Sequence, residues 1–332
     1  MIDATSKALF HTLAQSDRLR RLASRYGMRP RGFARRFIAG ETIDEALVAV
    51  ADLPSRGLRL TLDFLGESVS TPEEARAFTD TYLQLVQTIV ASGVERNLSV
   101  KLTQLGLDVS EDLAFDHMRR LLDAAEPQGF FVRVDMENSP YVDRTLDAIE
   151  KLWGAGYRQV GTVIQSCLFR SPADVTRLCA LGARVRLVKG AYKEPATVAH
   201  QGKAEVDAAY LALMRQLLDT GHFPAFATHD VRMIDAVRAY ATERGIDRTR
   251  YEFQMLYGIR RDLQTSLVSD GYGMRVYVPF GQQWFPYFMR RLGERPANVA
   301  FVLRGVLGEG YGAGLPPCAT RARRTRRLSL DG

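Results

Sequence analysis

From residue 57 onward, short β-rich segments alternate with helical ones, and this alternation constrains the fold of the 332-residue chain more than any other feature. The β-rich segments are Arg59–Leu65, Leu98–Leu102, Phe130–Met136, Gln159–Gln165, Arg184–Val188, Ala225–Thr228, Tyr251–Met255 and Met274–Val278. Helical spacing runs through Pro72–Ser92, Glu111–Ala125, Val142–Trp153, Pro172–Leu181, Lys203–Thr220, Val231–Arg244, Arg260–Ser269 and Gln283–Leu292. A helix between two strands carries the chain back along the sheet, so the second strand runs parallel to the first. Eight such units predict an α/β fold, a (β/α)8 TIM barrel; a doubly wound open sheet is the alternative. Earlier residues have helical patterns of their own at Lys7–Leu13, Asp17–Tyr26 and Thr42–Ala51, with Thr42 or Asp44 as a cap. The expected layout is a helical segment over 1–56 packing on the barrel, the barrel over 57–305, and a flexible basic tail over 306–332.

Parallel strands are covered on both faces and should read as apolar runs. Here polar residues stand at or just past the strand ends: Glu67, Lys101, Asp135, Gln165, Lys189, Thr228, His229 and Gln254. The C-terminal end of the strands is the face on which barrels build their sites. A structural role accounts for one such residue more easily than for a set spread over most of the strands.

The net charge of +7 raises the question of nucleic acid. More than half of it comes from five C-terminal arginines, Arg321, Arg323, Arg324, Arg326 and Arg327, set against Asp331. That pattern fits a solvated end, and its functional reading is weak attraction to anionic lipid or nucleic acid. The three cysteines, Cys167, Cys179 and Cys318, form no CxxC pair and suggest a reducing cytoplasm. No His/Cys cluster has metal-ligand spacing, so no metal is expected. No apolar run approaches the roughly 18 residues of a membrane span. Gly308–Ala313 spells the dinucleotide pattern GxGxxA, but no strand–helix–strand unit follows it, and it reads as a glycine-rich end.

The most informative segment is Gln283–Pro296, QWFPYFMRRLGERP. Pro286 suits a first helical turn and Pro296 a stop. Tyr287, Arg290, Arg291 and Glu294 stand three or four apart in every Tyr–Arg and Arg–Glu pairing, which gathers them on one side of a helix. Taken alone, the segment also reads as a solvated charged face. The aromatic strand end just before it, Met274–Gly281, favours the other reading, a bidentate clamp for a carboxylate.

In chain order, Leu65–Glu67 (LGE), Ser99–Leu102 (SVKL), Val134–Glu137 (VDME), Arg186–Tyr192 (RLVKGAY), Ala227–Asp230 (ATHD), Glu252–Gly258 (EFQMLYG), Tyr277–Pro279 (YVP) and Tyr287–Glu294 (YFMRRLGE) together resemble the proline dehydrogenases, flavoenzymes that make Δ1-pyrroline-5-carboxylate. The likeness covers about residues 35 to 305 and is to the monofunctional form rather than the fused bifunctional enzyme. It implies a distorted barrel with FAD lying across the C-terminal ends of the strands.

The resemblance also implies roles. Arg290, Arg291 and Lys101 bind the proline carboxylate, and Glu67 pairs with one of the arginines to order the closed site. Asp135 orients and balances charge beside Lys101, for which Asp135 or the substrate carboxylate is the expected partner. Arg186 lies near the flavin ring and stabilises the charge of the reduced form. Met136, Gln165, Lys189, Gly190, Ala191, Thr228, His229, Gln254 and Glu294 fall at flavin-contacting positions. Tyr192, Leu256 and Tyr277 wall the proline ring, although as bare residues all three read equally well as core. The implied acceptor of electrons is a quinone, hence a cytoplasmic enzyme in transient contact with a membrane surface. Two further readings are a Schiff-base barrel using Lys101 or Lys189 and a nucleic-acid binder using the basic tail, which the core motifs do not support.

Overall fold

In the computed structural model, the described residues are 27–28, 32–66 and 68–294, excluding the side chains of Phe33 and of residues 290–294. The expected helices Lys7–Leu13 and Asp17–Tyr26, the Gly308–Ala313 pattern and the basic tail lie outside the described residues.

Eight parallel strands close into one barrel: β1 (Arg59–Phe64), β2 (Asn97–Val100), β3 (Phe131–Val134), β4 (Val160–Gln165), β5 (Val185–Val188), β6 (Ala225–Ala227), β7 (Glu252–Leu256) and β8 (Gly273–Phe280). β8 closes on β1 from Arg59 opposite Arg275 to Phe64 opposite Phe280. Ahead of the barrel lies α1 (Ile43–Val50), and its cap is Thr42, whose Oγ1 accepts from the Glu45 amide. The helices α2 (Pro72–Ser92), α3 (Glu111–Ala125), α4 (Val142–Gly154), α5 (Ser171–Leu181), α6 (Lys203–Thr220), α7 (Val231–Glu243) and α8 (Arg261–Ser269) alternate with the strands, and α9 (Trp284–Glu294) follows β8. Their starts are chemically set. Thr71 accepts from the Glu74 amide with Pro72 at the first position of α2, and Ser110 and Asp230 cap α3 and α7.

Side chains alternate in direction along a strand. Leu60, Leu62, Leu98, Val132, Val134, Leu187, Phe253, Met274 and Val276 are fully or almost fully buried and belong to the main apolar core under the helices. Their neighbours on the same strands meet across the barrel. Arg186 on β5 reaches Ser99 on β2 and Gln254 on β7, contacts possible only through the lumen. The strands are therefore not apolar runs throughout. The inner face is polar, and Thr61, Asp63, Arg133, Glu252 and Arg275 line it below the mouth.

A second apolar cluster joins the N-terminal residues to α9. Met28, Ala34, Phe37 and Ile38 pack with Leu65, Ile259, Trp284, Phe285, Tyr287, Phe288 and Met289. The backbone seals this contact: the Ala39 amide donates to the Pro279 carbonyl and the Gly281 amide to the Gly40 carbonyl. Trp284 Nε1 also donates to Glu41 at 3.0 Å. Residues 27–28 and 32–41 thus clasp the start of the helix that carries Arg290 and Arg291.

Candidate active site

At the mouth of the barrel Arg186 is held from four directions. Nη1 donates to Asp135 Oδ1 at 2.7 Å, Nε to Gln254 Oε1 at 2.6 Å and Nη2 to Ser99 Oγ at 3.1 Å. The Tyr277 ring lies 5.2 Å from the guanidinium carbon, within cation–π range. Arg186 is buried, with only 6% of its side chain exposed against 14% for Asp135. A charge pair this dry is tolerated because each guanidinium nitrogen donates a hydrogen bond; removing one partner costs about 3–5 kcal/mol.

Asp135 spends both oxygens, one on Arg186 and the other on Tyr277 Oη–H at 2.8 Å. Of the two partners expected for Lys101, Asp135 or the substrate carboxylate, Asp135 is instead engaged in an Arg186–Asp135–Tyr277 triad. Guanidinium wins because its planar donors reach Asp135, Ser99 and Gln254 together, as one ammonium does not. Burial, and then Asp135, push the Tyr277 hydroxyl well above its ordinary value, so the phenol keeps its proton and donates it. Lys101 is itself buried, at the C-terminal end of β2.

Among the described residues, most of the remaining expected positions follow the C-terminal ends of the strands. Gln165 is buried and donates from Nε2 to the Glu137 carbonyl at 2.8 Å, and Met136 is buried beside it in sequence. Gly190 has φ +114°, a conformation open to glycine, and an added Cβ would lie 2.4 Å from Cys167 Sγ. It and Ala191 present exposed backbone, whereas Tyr192 and Leu256 are half-buried. Thr228 is buried and its Oγ1 accepts from the Asp230 amide. His229 Nε2 accepts from the Leu256 amide at 3.0 Å, which ties that nitrogen to β7.

Lys189 is committed to carboxylates. Its ammonium lies 2.5 Å from Asp207 and 3.0 Å from Asp230, in a network that also takes in Lys203 and Arg232. Burial works against ionisation of Asp230, yet Lys189 and Arg232 prevail and hold its carboxyl down to about 2. An ammonium so engaged is not offered as a nucleophile, which removes the support for a Schiff base there. Glu67 and the side chains of Arg290, Arg291 and Glu294 lie outside the described residues, though the backbone of the last three is helical in α9.

Sequence reasoning passed over four lumen residues. Glu252 is fully buried and forked by Arg275, Nε to Oε1 at 2.7 Å and Nη2 to Oε2 at 3.1 Å. Burial alone would raise the Glu252 carboxyl, but Arg275 more than offsets it and the group sits below its ordinary value. Arg133 donates to the Thr162 and Arg184 carbonyls. Asp63 is fully buried, and neither of its oxygens has a hydrogen-bond partner. The signal that would have found them is alternation: Thr61-x-Asp63, Arg133-x-Asp135, Glu252-x-Gln254 and Arg275-x-Tyr277 each put two polar residues on one strand face. A separate cavity of about 340 Å³ lies between α2 and the ends of β1 and β8, lined by Phe64, Phe78, Leu85 and Phe280 among others, and contains none of the expected site residues. Among the described residues, no helix is long and apolar enough to cross a membrane.

Comparison with known proteins gives this geometry a family. The proline dehydrogenase family model matches residues 46–304. "Proline dehydrogenase 2" of Bacillus subtilis is 41% identical over 301 residues, covering 91% of this chain and 98% of the relative. The proline dehydrogenase of Deinococcus radiodurans is 42% identical over 311 residues, covering 92% and 99%. Among solved structures, proline utilization A (PutA) from Bdellovibrio bacteriovorus inactivated by N-propargylglycine superposes with a TM-score of 0.74 at 31% identity, over 83% of this chain. The present chain spans only 34% of that longer one. A closed barrel with a buried, fully engaged arginine at its mouth, matched over most of its length by proline dehydrogenases, places the chain in the proline dehydrogenase family.

Proposed function

We propose that this proline dehydrogenase, acting at the first step of proline catabolism, oxidises L-proline to Δ1-pyrroline-5-carboxylate with bound FAD and passes the electrons to a quinone. The observation that carries the reading is the locked Arg186, a permanent cation fixed at the mouth of a barrel by Asp135, Gln254 and Ser99. The residues around it fit a flavin. Backbone at Gly190 and Ala191 is exposed, and at Gly190 a side chain would collide with Cys167. Arg186, Gln165, Met136, Gln254, Thr228, His229, Glu294 and the Lys189–Ala191 backbone would hold FAD, which when bound supplies the hydride acceptor.

The chain's own residues do the rest. Arg290, Arg291 and Lys101 bind the substrate carboxylate, and Glu67 orders the closed site by pairing with one of the arginines. Tyr192, Leu256 and Tyr277 wall the ring and exclude water. Asp135 has both oxygens occupied, which supports a role in orientation and charge balance rather than obligatory proton abstraction. Proline must be oriented with its amine uncharged, and positioning by fixed donors accounts for most of what the protein contributes. We place the enzyme in the cytoplasm with transient contact at the inner face of the membrane, where quinone resides.

The test is spectroscopic. Purified protein is expected to carry a flavin absorption band that bleaches on anaerobic addition of L-proline. A flavin-loaded protein that proline leaves oxidised would overturn the proposal. Arg291→Lys, which keeps the charge and loses the planar fork, is expected to raise KM for proline about tenfold or more with a smaller change in kcat.

A further inference from the structure

A chain of hydrogen bonds runs along the barrel lumen from its far end to Arg186. Glu95, about a third exposed, accepts from Arg275 Nη1 at 2.9 Å. Arg275 forks onto Glu252. Glu252 Oε1 accepts from Gln254 Nε2 at 2.6 Å, and Gln254 Oε1 accepts from Arg186 Nε at 2.6 Å.

The chemistry of each link gives this chain a direction. A carboxylate only accepts, whereas a carboxamide has one donating end and one accepting end. Ionised Glu252 therefore captures the NH2 end of Gln254 and leaves its carbonyl facing Arg186. With no acceptor at 252, the amide is free to turn and set its own N–H against the guanidinium N–H, two donors in a dry site. Residues 252 and 254 lie on the same strand face, so the effect passes along one edge of β7. The chain conveys orientation and not protons, because the guanidinium does not give up its own.

We propose that Glu252 is a positioning residue for Arg186, acting through Gln254, so that an ion pair deep in the lumen sets how the active-site guanidinium presents its charge. The orientation itself is independent of any cofactor; its consequence for flavin rests on the function proposed above.

Glu252→Gln keeps the shape and a carbonyl acceptor for Gln254, and it leaves Arg275 with Glu95 as its remaining counter-charge. The double variant Glu252→Met/Arg275→Met removes both buried charges and leaves Glu95, about a third exposed, to water, a replacement proteins often tolerate. Two readouts separate positioning from mere stability. The first is hydrogen exchange of the Arg186 Nε–H resonance, assigned by its loss in Arg186→Lys. It should quicken about fivefold or more in the double variant, the factor an ordinary hydrogen bond supplies, and stay close to wild type in Glu252→Gln, whose carbonyl oxygen still accepts from Gln254. The second is the reduction potential of bound flavin, expected to move negative in the double variant, with no further shift when Arg186→Met is added to it. A lowered melting temperature of the double variant with unchanged Nε–H exchange and unchanged potential would overturn the proposal. Quickened exchange with an unchanged potential would uphold the orienting role and overturn its effect on flavin. Wild-type protein without flavin would sink the function proposed above and leave the Nε–H readout to decide this one.

Discussion

Asp63 has neither carboxylate oxygen paired, although it is fully buried in the lumen. Lys101, Asp135, Tyr277 and Arg186 face it, and Tyr82 lies close enough to feel its charge. The one proton on the Tyr277 hydroxyl goes to Asp135. Burial dominates; Lys101 opposes it, Asp135 reinforces it, and the Asp63 carboxyl sits above its ordinary value. An acid whose value is raised on folding stabilises the native state fully below the unfolded value, near about 4. That contribution is lost as pH rises through the raised value. Asp63→Asn does not titrate, so its melting temperature relative to wild type should climb between pH 4 and pH 8, by about 2 °C or more. Parallel or converging melting curves over that range would show that Asp63 is ionised throughout. The residue was not legible beforehand, because an Asp between Leu62 and Phe64 reads as a strand position with an odd side chain until closure of the barrel shows what surrounds it.

At the scale of elements, α9 is placed by the clasp of residues 27–28 and 32–41. Phe37 is almost wholly buried and meets Phe288 at 6.1 Å between ring centres. Gly258, in the loop after β7, has φ +75°, and a Cβ there would lie 1.7 Å from the Arg36 carbonyl oxygen. The clasp and that loop are therefore in backbone contact. Phe37→Ala should cost about 3–4 kcal/mol as a cavity at this seam. Because α9 carries Arg290 and Arg291, Phe37→Ala is also expected to raise KM for proline more than it lowers kcat. Gly258→Ala, which forces the same seam apart, should shift both quantities in the same direction. Steady-state kinetics alongside denaturant titration checks this, and a stability loss with unchanged KM would show that α9 holds its place without the clasp. The helix itself was readable from its prolines and its Tyr–Arg–Arg–Glu spacing. Its partner was not: apolar residues at 28, 34, 37 and 38 declare that they are buried, not against what.

At the scale of the whole molecule, the strand and helix positions among the described residues were legible almost throughout, because both periodicities are strong and the caps are explicit. β1 ends at Phe64 rather than Leu65 and β2 starts at Asn97 rather than Leu98, shifts of the size expected at element ends. What stayed hidden was pairing across the lumen. Arg186 and Asp135 are 51 positions apart, and only the register around a closed barrel brings them within 2.7 Å. The membrane contact proposed above would be a property of the surface as a whole. If the basic end assists it, deleting residues 319–332 should weaken binding to anionic liposomes at low salt, an effect that added salt abolishes. Unchanged liposome binding after the deletion would remove that idea. The closure of β8 on β1 has a different consequence, in time. A growing chain makes β1 and the Ala39–Gly40 segment early, yet their partners in β8 and at Gly281 emerge roughly 215 to 240 residues later. Until then the nascent sheet has an open edge at β1, and such edges pair with whatever strand is near. Barrel closure is thus a late event set by long sequence separation, and a ribosome stalled before residue 273 would display a sticky, incomplete sheet.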